Sequence, residues 1–238
     1  MELLIYTGNF GSGKTEISLN QAIHLARQGQ RVNLIDLDIV KPYFRSREVR
    51  LLLEREGVNL IAPQDALSHA DLPIVTPEVA GALTSGVGTC IIDVGGDKLG
   101  ATALGRFKPY LDKHRACMQL VVNPYRPFTS NLAGVSKMIT EIEAAARLRV
   151  GKIISNPNLG QTTQVQEVLQ GHKIVEQISC ELGLTISFLA VFKPLIEEVQ
   201  KLLPKQKLFP VENYLLPPWY LEEGSVNCID PNLRLPLK

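Results

Sequence analysis

Short runs of Ile, Val and Leu alternate along the chain with longer segments whose apolar residues recur every three to four positions, the pattern of strands joined by covering helices. Strands are expected at 2–7, 31–36, 58–62, 89–94, 117–123, 150–155 and 185–192. Cys90-Ile91-Ile92 is apolar at consecutive rather than alternate positions, which marks a strand covered on both faces. Helices are expected at 15–28, 46–56, 77–85, 130–147, 163–182 and 194–203. The first carries Ile17, Leu19, Ala22, Ile23, Leu25 and Ala26 on a broad apolar face and is ended by Gly29. The third opens with Thr76-Pro77-Glu78, a cap, a first-turn proline and an acidic residue. Together these predict a doubly wound α/β fold with a mainly parallel sheet of about seven strands and helices on both faces. Prolines at 204, 210, 217, 218, 231 and 236 then change the character of the chain. Residues 1–207 are expected to form the domain, and 208–238 a Pro-rich irregular arm packed on it.

Composition narrows the classes of function. With 238 residues and 45% hydrophobic content the chain can bury one sizeable core. A net charge of +1 gives no general attraction to nucleic acid or to acidic membranes. Cysteines at 90, 117, 180 and 228 form no C-x-x-C pair, and His24, His69, His114 and His172 have no metal-ligand spacing. A reducing cytoplasm fits that usage, and the start of the chain shows neither a basic n-region nor an apolar h-region. The apolar stripe Leu195, Ile196, Val199, Leu202, Leu203 is stopped by Pro204 and is expected to pack on the sheet rather than on a membrane. Trp219 and Tyr220 are expected to cover core.

The chemistry begins at Gly8-Asn9-Phe10-Gly11-Ser12-Gly13-Lys14-Thr15, directly after the first strand and directly before the first helix. Glycines at 8, 11 and 13 let the backbone curl so that N–H groups face phosphate oxygens, with the helix N-terminus adding partial positive charge. Lys14 is placed to reach the β and γ phosphates and Thr15 to offer its hydroxyl to Mg²⁺. A magnesium ion beside phosphates needs a further hard oxygen ligand, and Asp93, at the end of the Cys90-Ile91-Ile92 run, is the expected one. Gly96, three residues on, is placed to approach the γ-phosphate through its N–H.

The second strand ends in Asp36-Leu37-Asp38. A phosphate loop near the N-terminus, this D-x-D and the D-x-x-G of Asp93 to Gly96 together resemble the MinD/ParA/CobQ class of P-loop nucleotide-binding proteins. That resemblance implies ATP/ADP and Mg²⁺ as ligands, with Thr15, Asp93 and Asp38 around the metal, and Lys14 and Asp38 in catalysis, Asp38 by orienting the attacking water. It also implies a protein partner and a nucleotide-dependent homodimer. The class places a second lysine at the position of Asn9, so its usual cross-subunit charge is absent or moved; Arg45 or Arg47 is the expected replacement, against a merely solvated helix start.

No [NT]-K-x-D sequence for guanine occurs, which favours ATP over GTP. Asn156, at the end of the sixth strand, resembles the residue with which adenine-binding members hold the base, and Asn123 is its rival. The segments 97–110 and 62–73 are where a partner is expected to sense the nucleotide. A second reading is an ATP-dependent carboxylate-activating enzyme of the dethiobiotin-synthetase or cobyrinate-amidase kind, with Lys41, Arg45, Arg47 and Lys98 lining a substrate pocket.

Overall fold

The computed structural model describes residues 1–38, 47–62, 77–114 and 116–215. In chain order the strands are β1 (Glu2–Thr7), β2 (Val32–Leu37), β3 (Val58–Ile61), β4 (Thr89–Val94), β5 (Cys117–Val122), β6 (Val150–Ser155), β7 (Thr185–Phe192) and β8 (Leu208–Val211). The α-helices are α1 (Lys14–Arg27), α2 (Arg47–Arg55), α3 (Pro77–Thr84), α4 (Lys98–Arg106), α5 (Lys108–Leu111), α6 (Leu132–Ala146), α7 (Val165–Leu182) and α8 (Ile196–Leu202). The strands form one sheet in the order β3-β2-β4-β1-β5-β6-β7-β8, and every neighbouring pair is parallel.

Alternation along each strand splits the core into layers. In β4, Ile91 packs with Ile17, Ile23 and Leu53 of α1 and α2, whereas Cys90, Ile92 and Val94 turn to the layer holding Leu83, Leu104, Val135 and Ile142. In β7, Phe188 and Ala190 join the α1 layer while Leu189 and Val191 meet Val168 and Val199 of α7 and α8. Both faces of the sheet are thus covered, as the consecutive apolar runs predict. Because β2, β4 and β1 are parallel neighbours, their carboxyl ends bring Leu37, Val94 and Thr7 to one rim, where open α/β sheets bind ligands.

Three elements were not expected: α4, the single-turn α5 that follows it, and β8. Helix α4 occupies a stretch whose Gly100 and Gly105 lower helix propensity; Asp97 caps it by accepting from Gly100 N at 2.8 Å, and the two glycines allow close approach to Gly95 and to Ala145. Strand β8 lies where prolines pointed to an irregular arm. Among the described residues it is an edge strand paired only with β7, so the missing N–H of Pro210 breaks no central ladder.

Beyond β8 the chain is laced to α1. Glu212 N donates to Asn20 Oδ1 at 2.8 Å and Asn20 Nδ2 donates back to Glu212 O at 2.8 Å, while Tyr214 N and Leu215 N donate to the Glu16 carboxylate at 2.6 and 3.2 Å. Burial pushes the Glu16 carboxyl up to about 7, and the two backbone donors only partly oppose it. A raised carboxyl gives stability that is complete below its unfolded value and is lost as pH rises through the folded one. Between pH 5 and pH 8 the wild type is expected to lose up to about 3 kcal/mol more than Glu16→Gln. Urea unfolding at the two pH values measures this, and parallel losses would show that the carboxylate contributes none of it.

Candidate functional site

Gly13 is the N-cap residue of α1 in the left-handed conformation, with φ 87° and no side-chain cap, so the first amides of the helix are left for an outside acceptor. Gly96, after β4, packs so closely that a side chain there would strike Gly8 O, which fixes the loop after Asp93 against the phosphate loop.

Lys14 is buried at the mouth of this loop, where its Nζ lies 2.7 Å from Asp38 Oδ2 and donates to Thr15 Oγ1 at 3.3 Å. Burial alone would lower its pKa, but Asp93, Asp38 and Asp36 together hold the ammonium above its ordinary value. Asp36 and Asp93 are direct partners across β2 and β4. Burial pushes both carboxyls up, that of Asp36 further through its closeness to Asp93. One oxygen of each is satisfied: Asp36 Oδ1 accepts from Asp38 N at 2.8 Å, and Asp93 Oδ1 from Ser18 Oγ at 3.3 Å. Asp36 Oδ2 and Asp93 Oδ2 are buried with no hydrogen-bond partner among the described residues.

Three carboxylates around one ammonium make a buried site that invites a cation, and its donors are all hard oxygens. Among the described residues no group of three or more His, Cys, Asp or Glu is arranged to hold a metal by itself. Magnesium does not ask for one, since it is commonly held by one or two carboxylates, waters and the phosphates of its substrate. The orphaned Asp93 oxygen and the nearby Thr15 hydroxyl therefore fit Mg²⁺.

The structure gathers Gly8 to Thr15, Asp38 and Asp93 at one rim. Asn9 bonds within the loop, its Oδ1 accepting from Phe10 N at 2.7 Å. Asn156 is buried beside the loop, with Nδ2 donating to Ser12 O at 2.6 Å; the expectation for this amide was the base. Its rival Asn123 ties the β5 and β6 ends together by donating to Asn158 O at 2.7 Å. Lys41, Arg45, residues 63–73, Trp219 and Tyr220 lie outside the described residues, as does the side chain of Arg47. Residues 97–110 form α4 and α5 with their cap and joint. Ser18 and Arg126 also meet these residues, and neither was an expected site residue. Ser18 was findable, because it stands four residues after Lys14 on the same helix face; Arg126, which reaches Gly11 O, belongs to no motif.

No protein-family model and no curated protein matches the chain. Solved structures do match its fold. The cell division protein FtsY from Thermotoga maritima superposes with TM-score 0.54 at 21% identity, covering 80% of this chain and 61% of its own. Chloroplast FtsY from Physcomitrella patens gives 0.56 at 17%, covering 79% and 57%. The signal recognition particle 54 kDa protein from Aeropyrum pernix, in complex with GDP, gives 0.50 at 20%, covering 79% and 41%. The chain thus spans less than two thirds of each of these proteins. The likeness, with the parallel sheet and flanking helices, establishes the P-loop NTPase α/β fold. The narrower affinity to the MinD/ParA/CobQ class rests on the motifs alone. No described helix is long and apolar enough to cross a membrane.

Proposed function

We propose that the chain binds ATP with Mg²⁺, hydrolyses it slowly, and uses the exchange as a switch on a protein partner. The observation that carries this reading is Lys14, a buried ammonium at the mouth of a phosphate loop, facing Asp36, Asp38 and Asp93. On binding, Lys14 exchanges Asp38 for the β and γ phosphates, and Asp38 is released to align a water for attack. Thr15 and Asp93 would hold Mg²⁺, which when bound neutralises phosphate charge. The absence of an [NT]-K-x-D sequence supports ATP; the GDP held by the Aeropyrum neighbour makes GTP the comparison to run.

A partner is supported by an apolar rim around the same strand ends. Phe10 in the loop, Leu99 in the first turn of α4 and Phe128 after β5 are 62%, 63% and 70% exposed. Such side chains beside a polar site suit a second protein surface, and the near-zero net charge does not suit nucleic acid or an anionic membrane.

Asp38→Asn tests the switch. Freed from its ion pair, Lys14 should bind ATP at least as tightly as in the wild type, while single-turnover hydrolysis falls on the order of a hundredfold. Calorimetry with ATP and GTP, with and without Mg²⁺, and light scattering with each nucleotide complete the test. Flat titrations with both nucleotides would overturn the reading, and normal hydrolysis by the variant would remove Asp38 from it.

A further inference from the structure

Two side chains from outside the phosphate loop hold its carbonyls. Asn156 Nδ2 donates to Ser12 O at 2.6 Å and Arg126 Nε donates to Gly11 O at 3.0 Å. Asn156 follows β6 and Arg126 lies just beyond β5, so the loop is gripped from two neighbouring strand ends. Asn156 is itself pinned, its N–H donating to Val122 O at 2.9 Å. A trans peptide sets its C=O and N–H on opposite sides. Holding Ser12 O outward therefore turns Gly13 N–H to the inner side of the loop. Holding Gly11 O outward likewise turns Ser12 N–H inward, where Asn9 O accepts it at 3.0 Å and closes the turn. Gly13 has a second reason to be glycine, since a side chain there would collide with the Asn156 amide.

We propose that Asn156 and Arg126 are positioning residues that hold the phosphate loop in its anion-binding form, acting on the polyphosphate chain of the ligand and not on its base. This rests on the nucleotide reading above. Preorganised donors bind an anion without the cost of ordering themselves, so loosening either carbonyl lowers affinity for any polyphosphate, whatever base it carries.

The test compares inorganic tripolyphosphate with ATP on the wild type, Asn156→Ala and Arg126→Ala, by calorimetry with Mg²⁺ present. Asn156→Ala is expected to weaken both ligands by about tenfold and by the same factor. Arg126→Ala should weaken both by a smaller common factor. In spectra of protein labelled with ¹⁵N-glycine, the Gly13 amide should move on adding tripolyphosphate to the wild type and move less in Asn156→Ala, a readout that general loss of stability would not give. A loss confined to ATP would overturn the proposal in favour of a base contact. Unchanged affinity for both ligands would show that the loop holds itself. Arg126 is exposed, so its variant decides the matter should Asn156→Ala not fold. A wild type that binds neither ligand would instead overturn the nucleotide site itself.

Discussion

Lys14→Ala is expected to lower affinity for ATP by about a hundredfold or more and, at the same time, to destabilise the unliganded protein by about 3 kcal/mol at neutral pH. The two losses have one origin. The ammonium is the counter-charge that structure places among Asp36, Asp38 and Asp93, and the motif assigns it to the phosphates as well. Its removal leaves buried carboxylates without compensation, which costs more than the ion pair itself contributes. The stability loss should shrink towards pH 5, because carboxyls already pushed upward by burial take up protons and discharge the cluster. Urea unfolding at pH 5 and pH 7.5 measures the second effect and calorimetry the first. Normal ATP affinity in the variant would end the nucleotide assignment, and equal stability loss at both pH values would show that lost packing, not lost charge, was measured.

The parts of this site that the sequence discloses are those where chemistry restricts residue type. A loop that must curl needs glycine, the motif joins it to a lysine, and the strands beside it are apolar on both faces, so the meeting of Gly8 to Thr15 with Asp93 at one rim and the parallel sheet were legible. Supporting contacts are different. Arg126 and Asn156 each meet a backbone carbonyl more than a hundred residues away, and a carbonyl is the same at every position, so no spacing announces it. Asn156 stands out in the sequence as a strand-end amide, but which neighbour it bonds depends on how far the β6 end stands from the loop. Helix α4 was hidden for a related reason. Glycines that lower its intrinsic propensity are required by the closeness of Gly95 to Gly100 and of Ala145 to Gly105, and tertiary packing overrides propensity there. Strand β8 was hidden because Pro210 reads as a breaker everywhere except at an edge.

Asp93→Asn separates stability from function in the opposite direction to Lys14. Asp93 is fully buried and its carboxyl is pushed up, by burial first, against the opposing effect of Lys14 and the hydroxyls of Thr15 and Ser18. A raised carboxyl contributes stability that is complete below its unfolded value near 3.9 and is lost as pH rises through the folded value. The unliganded variant should therefore be more stable than the wild type at pH 7.5 by about 1–2 kcal/mol, and the gap should close as pH falls. The same substitution removes a charged oxygen that fits the metal. In the wild type ATP should bind more tightly once Mg²⁺ is added, and in Asp93→Asn that gain should largely vanish. A site kept at some expense to the fold in this way suits the proposed metal role, because a carboxylate serving only structure commonly finds partners for both its oxygens, and Asp93 Oδ2 has none among the described residues. Retention of the full magnesium effect would move the metal to Asp36 or Asp38. An unchanged stability would show that Lys14 already neutralises Asp93, leaving the orphaned oxygen without the electrostatic cost assigned to it here.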